Sequence, residues 1–112
     1  MQSRGLLTKS LSLIMNSIAF PSQYKNAILK KTKNTTIRVK REMGKYKTGQ
    51  TYLAQSYAGN SWGQKIQITK VIKTDFKQLP KYGIPVGSIK AMIRNEKCYL
   101  GEPIEIIRFK YL

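Results

Sequence analysis

The junction between two periodic patterns, near Lys33, constrains the fold more than any other feature of the chain. From Pro21 to Ile28, apolar side chains recur at helical spacing, and proline is well tolerated in a first helical turn. Residues 35–40 then alternate between polar and apolar side chains, which is the pattern of a half-buried strand. The sequence therefore predicts a helix that leads into a strand, with Lys33 between them.

The polar face of the predicted strand groups side chains that suit an anionic or polar ligand. We expect Lys33, Thr36 and Arg38 to converge on one such ligand. Further cations stand close by in the sequence: Lys40, Arg41, Lys45 and Lys47. A purely structural interpretation is also open. Threonine favours strands, arginine can be an exposed strand cation, and a lysine after a helix end suits the helix dipole.

The remaining patterns predict short strands and one later helix. Strands are expected over residues 16–20, 51–57, 65–73 and 103–111, with turns at 47–49 and 59–60. Residues 80–87 read as a loop, and the apolar stripe that follows, with Ile89 and Ile93, predicts a helix that ends by Glu96. Mostly antiparallel strands with one early and one late helix favour an α+β fold: a small, partly open, mixed or antiparallel β-barrel with two flanking helices.

The length of the chain, 112 residues, suits one hydrophobic core and is too short for two. We expect residues 15–112 to form that domain and residues 1–14 to be an extension, either loosely ordered or an over-long start. Lys9 interrupts the apolar run that a secretory signal needs, and the run is too short to cross a membrane. An amphipathic segment that lies on a membrane or on a partner protein remains open, because its leucines stand near helical spacing.

The charge of the chain limits its partners. Lys and Arg number 21 against five acidic residues, so the formal net charge is +16. Such self-repulsion destabilises a compact state and is usually offset by a polyanion, most commonly nucleic acid and next an anionic membrane surface. A lysine-rich solvated surface is the alternative, because the basic residues are scattered along the whole sequence.

The chain lacks the residues of several catalytic and metal sites. It has no His and one cysteine, Cys98, which excludes zinc sites built from His or from several thiolates. Catalysis by a Cys-His or Ser-His-Asp arrangement is excluded for the same reason. We expect no metal and no other cofactor, a packed and inert Cys98, and a reducing, cytoplasmic location, since one cysteine forms no intramolecular disulfide.

Aromatic rings could provide a second element of nucleic-acid binding, because each base stacked on an exposed ring contributes roughly 1–3 kcal/mol. The candidates are Tyr46, Tyr57 and Trp62. Tyr57 and Trp62 flank the turn at residues 58–61, beside Lys65, where they could project from a hairpin tip. Packing in the core or at the barrel closure is the competing interpretation for both rings. Three other rings are expected in the core: Tyr52, Phe76 and Phe109.

A few short motifs along residues 15–112 carry a family resemblance. They are Ile28-Leu29, then Lys33, Thr36 and Arg38, then Lys47-Thr48-Gly49, and the terminal run Ile106-Ile107-Arg108-Phe109-Lys110. In these motifs the chain resembles the ASCH domain of the PUA-like group. The resemblance implies a small β-barrel with flanking helices, whose cleft binds RNA or modified nucleosides. RNA is therefore the expected partner, with DNA and a modified nucleoside as alternatives.

The same resemblance raises an enzymatic alternative. Some small bacterial members are 4-acetylcytidine amidohydrolases, and their catalytic lysine and threonine correspond to Lys33 and Thr36. A threonine hydroxyl can attack an amide carbonyl when a neighbouring desolvated lysine takes its proton. The glutamate expected before the second helix is missing, since residues 81–84 read Lys-Tyr-Gly-Ile and the nearest acid in sequence is Asp75. Its loss removes acid–base help of roughly two to four powers of ten in rate, which argues against catalysis.

The expected function is therefore an RNA-binding module with a basic cleft at the helix-to-strand motif. Phosphates are expected on Lys33, Arg38, Lys40, Lys45 and Lys47, with a base or nucleoside near Thr36. The whole expected interface comprises Lys33, Thr36, Arg38, Lys40, Arg41, Lys45, Lys47, Tyr57, Trp62 and Lys65. An amidohydrolase of acylated cytidine is the alternative, and a basic module that binds a protein or a membrane surface through residues 1–14 is the third hypothesis.

Overall fold

The computed structural model describes residues 16–112, which form an α+β fold. Its strands are β1 (Ser17–Phe20), β2 (Thr35–Val39), β3 (Thr51–Ser56), β4 (Ser61–Asp75) and β5 (Pro103–Tyr111). Its α-helices are α1 (Lys25–Leu29) and α2 (Val86–Glu96), and 3-10 helices cover Ser22–Tyr24, Lys40–Glu42 and Phe76–Tyr82. The extension predicted over residues 1–14 lies outside the described residues.

The strands form one mixed five-stranded sheet in the order β1-β3-β4-β5-β2. β1 is parallel to β3, whereas β3 pairs with β4, and β2 with β5, in antiparallel fashion. The predicted α+β class with a mixed sheet is confirmed. The strand order over residues 16–112 has two ends, β1 and β2, so the sheet is open and the predicted barrel is only loosely matched.

The described residues divide into two compact units. The first unit contains the described residues up to Lys33, together with Gln50–Gln67 and Lys110–Leu112. In it β1 lies beside β3 with Ile18 opposite Ala54, and the buried side chains come from both strands, from α1 and from the start of β4. These are Ile18, Phe20, Ile28, Tyr52, Ala54 and Ile66. The predicted core position of Tyr52 is confirmed.

Helix α1 follows a 3-10 turn that begins directly after Pro21. Its end is a tight reversal: the amide of Thr32 donates to the Ala27 carbonyl over 2.9 Å, and Lys31 has a positive φ of 62°. This is the hydrogen-bond pattern that usually ends a helix on glycine, and a lysine there is strained. The predicted helix is confirmed, and its α-helical part is short.

The second unit contains Asn34–Gly49 and Ile68–Phe109. Its core joins β2, β5, α2 and the 3-10 helix after β4, and it consists of Val39, Phe76, Leu79, Ile89, Ile104 and Ile106. Phe109 is also buried, so the predicted core positions of Phe76 and Phe109 are confirmed. Along the antiparallel pair of β2 and β5, Thr36 stands opposite Ile107 and Arg38 opposite Glu105.

The main differences from the predicted element boundaries are at β4, at the loop over residues 80–87 and at the end of β2. β4 extends beyond the predicted 65–73 at both ends, and at its start Ser61 pairs with Gln55 on β3. The predicted loop 80–87 begins inside a 3-10 helix, which Asp75 caps by accepting a hydrogen bond from the Gln78 amide over 3.2 Å. β2 ends at Val39 rather than at residue 40, where the backbone turns.

Candidate nucleic-acid interface

The polar face of β2 is buried, which corrects the prediction of a half-buried strand with an exposed polar face. Thr36 is 9% and Arg38 6% exposed, so Arg38 is not the exposed strand cation of the structural interpretation. Opposed residues of an antiparallel pair project from the same face of the sheet. Thr36 and Arg38 of β2 therefore share a face with Ile107 and Glu105 of β5.

The segment that follows β2, residues 40–49, is called here the basic loop. It starts at Lys40, whose φ is +51°, and the Met43 amide closes the first turn by donating to the Lys40 carbonyl over 3.1 Å. It ends where the Gly49 amide donates to the Ile68 carbonyl over 2.8 Å. Both ends of the loop are thus held by backbone hydrogen bonds within the second unit.

The middle of the basic loop is held by a buried carboxylate on β5. The Gly44 amide donates to Oε1 of Glu105 over 2.9 Å, and Glu105 is only 2% exposed. Gly44 has a φ of +80°, a conformation that glycine adopts without the strain that a Cβ would bring. Glu105 therefore fixes the loop at Gly44, where the backbone is left-handed.

A second carboxylate, Glu42, joins the basic loop to β2. Its Oε1 lies 3.5 Å from Nη1 of Arg38 and accepts a hydrogen bond from the Tyr46 hydroxyl over 3.0 Å. Its Oε2 lies 2.6 Å from Nζ of Lys45. The guanidinium carbon of Arg38 lies 5.2 Å from the centre of the Tyr46 ring, within the range of a cation–π contact. We call Arg38, Glu42, Lys45 and Tyr46 the Glu42 cluster.

The electrostatics of the Glu42 cluster favour the ionised carboxylate. Partial burial by itself would raise the pKa of Glu42, but hydrogen bonds from Lys45 and Tyr46 and the positive charges of Lys45 and Arg38 outweigh it. The net effect is a pKa below the ordinary value for Glu42. Glu42 is therefore a stable anion at neutral pH.

The cations of the basic loop, including Lys45 of the Glu42 cluster, are exposed to solvent. Lys40, Arg41, Lys45 and Lys47 are all exposed. Nζ of Lys40 lies 3.4 Å from Oε2 of Glu102, an ion pair that orients this side chain. Carboxylates of the second unit thus contact Lys40 and Lys45.

Lys33 belongs to the first unit, and Thr36 and Arg38 belong to the second. In the first unit the carbonyl of Lys33 accepts a hydrogen bond from the Tyr111 hydroxyl, and its ammonium lies 4.3 Å from the centre of the Tyr24 ring. Burial raises the pKa of the Tyr111 phenol. The expected convergence of Lys33, Thr36 and Arg38 stays a prediction.

The aromatic candidates differ from one another. Tyr57 is 70% exposed beside the turn between β3 and β4, as the hairpin prediction requires, and Lys65 is exposed on β4. Trp62 is half-buried and stacks on Phe20 with ring centres 6.4 Å apart, so its packing interpretation is favoured. Tyr46 is buried inside the Glu42 cluster, so the prediction of an exposed stacking ring there is wrong.

Sequence reasoning missed Glu42 and Glu105, the two carboxylates that shape this site. A signal for Glu105 is present: it interrupts the apolar run of β5, and acidic side chains are almost never fully buried unless they are paired. The acid nearest in sequence to the missing catalytic glutamate, Asp75, caps a 3-10 helix. Among residues 16–112, no group of three or more His, Cys, Asp or Glu side chains could hold a metal ion.

Cys98 packs against the core of the second unit, as predicted. Burial raises the pKa of its thiol, and the neighbouring Glu102 carboxylate adds to that shift. A raised pKa keeps the thiol protonated and weakly nucleophilic at neutral pH.

Within the part of the chain that the structure describes, no helix is long and apolar enough to cross a membrane.

Comparison with known proteins identifies the fold. No family model matches the sequence, and no curated protein matches it. Among solved structures, the crystal structure of an ASCH domain from Lactobacillus crispatus JV V101 superposes with a TM-score of 0.57 at 11% identity, covering 87% of this chain and 79% of that one. The protein has the fold of an ASCH domain, as the motif resemblance implied.

Proposed function

We propose that the protein binds RNA through the basic loop and the tip of the β3–β4 hairpin. The observation that carries this proposal is the arrangement of the loop: its cations face outward while Glu42 and Glu105 hold it from within the second unit. The PUA-like fold and the net charge of +16 support the same function. DNA and a free modified nucleoside are the alternative ligands.

An ordered basic loop is better suited to selective binding than a row of mobile lysines. Binding normally costs free energy because long side chains and loops lose conformational freedom at the interface. The contacts at Lys40, Glu42 and Gly44 remove part of that freedom before any ligand arrives. RNA phosphates would then contact loop cations whose positions are already fixed before binding.

The hairpin tip adds a surface for unstacked bases. Tyr57 is exposed beside the turn, and Lys65 provides a nearby cation on β4. A base that stacks on an exposed tyrosine gains binding free energy without sequence preference, so this surface suits single-stranded RNA. The proposed interface keeps the residues predicted from the sequence: Lys33, Thr36, Arg38, Lys40, Arg41, Lys45, Lys47, Tyr57, Trp62 and Lys65.

Fluorescence anisotropy titrations of single-stranded RNA, duplex RNA and DNA at several salt concentrations test the proposal. We expect the double variant Arg41→Ala/Lys47→Ala to lose about tenfold in RNA affinity, with a salt slope lower by about 1.4 on single strands. The matched control Lys73→Ala/Lys90→Ala removes two exposed lysines of the second unit outside the loop. Its loss of RNA affinity should be much smaller. Equal losses in both variants, with equal binding to every polyanion, would show that the charge acts only as a diffuse surface.

A second candidate, deacylation of a 4-acetylcytidine-type nucleoside by Lys33 and Thr36, gains support from one observation. Glu105, a buried carboxylate, stands on the same face of the β2–β5 pair as Thr36 and lies two pairs along the ladder from it. It offers an acidic group near Thr36 in the ladder, although on β5 rather than before the second helix. Nucleoside turnover that disappears in Thr36→Ala and survives in Thr36→Ser would favour the enzyme. No turnover at high protein concentration would exclude it.

A further inference from the structure

The Glu42 cluster has the composition of an anion-binding site that is filled by a side chain of the protein itself. A guanidinium, an ammonium and a phenolic hydroxyl, from Arg38, Lys45 and Tyr46, converge on one carboxylate at 3.5, 2.6 and 3.0 Å. Two cations thus surround a single anion. We call these three donors the anion cradle.

We propose that a phosphate group replaces the Glu42 carboxylate in the anion cradle. A phosphodiester presents two non-bridging oxygens on one atom and carries one negative charge, so it can occupy the positions of Oε1 and Oε2. Arginine and lysine are the side chains that most often bind phosphate. The inference rests on the proposed RNA-binding function for its natural ligand, an RNA phosphate, and orthophosphate or a nucleotide would satisfy the same donors.

Burial of Arg38 favours an anion beside its guanidinium. Its side chain is 6% exposed, and a buried cation is strongly destabilising unless an anion compensates it. The Glu42 side chain is 34% exposed, so one side of the cluster is open to solvent. The cradle therefore has a buried floor, Arg38 and Tyr46, and an open mouth, at Glu42 and Lys45, through which a phosphate can enter.

The basic loop keeps an anchor that does not depend on Glu42. The hydrogen bond from the Gly44 amide to Glu105 holds the loop from the opposite strand, and Glu42 itself stands on a short 3-10 turn. Departure of the Glu42 side chain therefore requires a rotation of that side chain and no opening of the β2–β5 ladder. The carboxylate acts as an internal competitor that an entering phosphate must displace.

The variant Glu42→Gln removes the competitor, and Glu96→Gln makes the same change of charge at an exposed acid on α2. Isothermal titration with orthophosphate compares them. We expect Glu42→Gln to bind orthophosphate about fivefold more tightly than Glu96→Gln does, because the charge it removes is in direct contact with the donors. On oligouridylate, the salt slope of Glu42→Gln should exceed that of Glu96→Gln by about 0.7, the contribution of one phosphate on a single strand.

Three results separate this inference from the proposed function. Tighter orthophosphate binding by Glu42→Gln without oligouridylate binding by any form supports the cradle, assigns it to a free phosphate or nucleotide, and overturns RNA binding. Salt-dependent oligouridylate binding through the basic loop, with Glu42→Gln no tighter than Glu96→Gln for either probe, overturns the cradle alone. Weaker binding of both probes by a folded Glu42→Gln also overturns it, because Glu42 would then support the loop rather than compete.

Wild-type protein provides the measurement that remains if Glu42→Gln does not fold. Amide resonances of Arg38, Lys45 and Tyr46 should shift during an orthophosphate titration followed by NMR, while those of Glu96 stay in place. If orthophosphate saturates a site elsewhere in the protein while the amide resonances of Arg38, Lys45 and Tyr46 do not move, the inference is overturned.

Discussion

The two units of the molecule carry the same sign of charge in different ways. The described residues of the first unit contain six lysines and no Asp or Glu: Lys25, Lys30, Lys31, Lys33, Lys65 and Lys110. The second unit contains all five acids of the chain: Glu42, Asp75, Glu96, Glu102 and Glu105. The first unit is a uniform source of positive potential, and in the second the carboxylates arrange particular cations.

This difference suggests that the two units play different roles in binding: non-selective attraction of polyanions and selection of one ligand. Lysines on a surface that carries no Asp or Glu draw any polyanion and speed its approach, but they distinguish poorly between one polyanion and another. In the second unit Glu42 and Glu105 fix the basic loop, and Glu102 orients Lys40. Selectivity should therefore reside in the second unit, although both units contribute to affinity.

Truncation of the buried cation should have the largest effect. Arg38→Ala removes a buried side chain from the Glu42 cluster and leaves Tyr46 unpacked, so we expect a loss of about 3 kcal/mol in the free energy of unfolding. The matched change in the first unit, Lys25→Ala at an exposed position, should stay within about 0.5 kcal/mol. Urea denaturation measures both, and similar values would remove the distinction between the units.

Neutralisation of lysines in the first unit should weaken binding without changing preference. Lys30→Gln/Lys65→Gln removes two exposed charges, and we expect affinity to fall by about three- to tenfold for RNA and DNA alike. The ratio of RNA to DNA affinity should stay constant, whereas changes in the basic loop should alter it. Anisotropy titrations at one salt concentration suffice, and a changed ratio in this variant would place selectivity in the first unit.

A glycine at the end of α1 should stabilise the first unit. Lys31 occupies a left-handed conformation with a φ of 62°, and glycine adopts that conformation without the clash of a Cβ. We expect Lys31→Gly to raise the free energy of unfolding by about 1 kcal/mol. Lys30→Gly is the matched control, since Lys30 is right-handed and should lose stability. A destabilised Lys31→Gly would contradict this account of the helix end.

Acid should weaken the second unit through Glu42. Because the pKa of Glu42 is lower in the folded protein than in the unfolded chain, its stabilising contribution is complete above the unfolded pKa and is lost as the pH falls through the folded pKa. The contribution of Glu42 to the free energy of unfolding should be below about 1 kcal/mol, since Glu42 and Lys45 are partly exposed to solvent. Urea denaturation between neutral and acidic pH should show a smaller decrease in Glu42→Gln than in the wild type. Identical decreases would mean that other groups account for the acid sensitivity.

Local patterns predicted most of the secondary structure. The strands at 51–57 and 103–111 were placed within one residue of β3 and β5, because alternation and adjacent turn residues mark them. Ile89 is buried on α2, as its helical spacing predicted. The prediction for β2 was wrong in one respect: it assumed that the polar face of the strand is exposed to solvent. That inference fails here because Glu42 and Tyr46 of the following loop pack against Arg38.

The sequence by itself determined the excess of positive charge, the absence of histidine chemistry and the order of strands and helices, because these follow from composition and short-range periodicity. Tertiary structure decided which charges are buried and which carboxylates hold the basic loop. Gly44 and Glu105 meet across 61 positions of the chain, and Arg38 is opposite Glu105 only through the register of β2 and β5. Such pairings depend on which strands become neighbours and in what register, and the local spacing of residues does not contain that information.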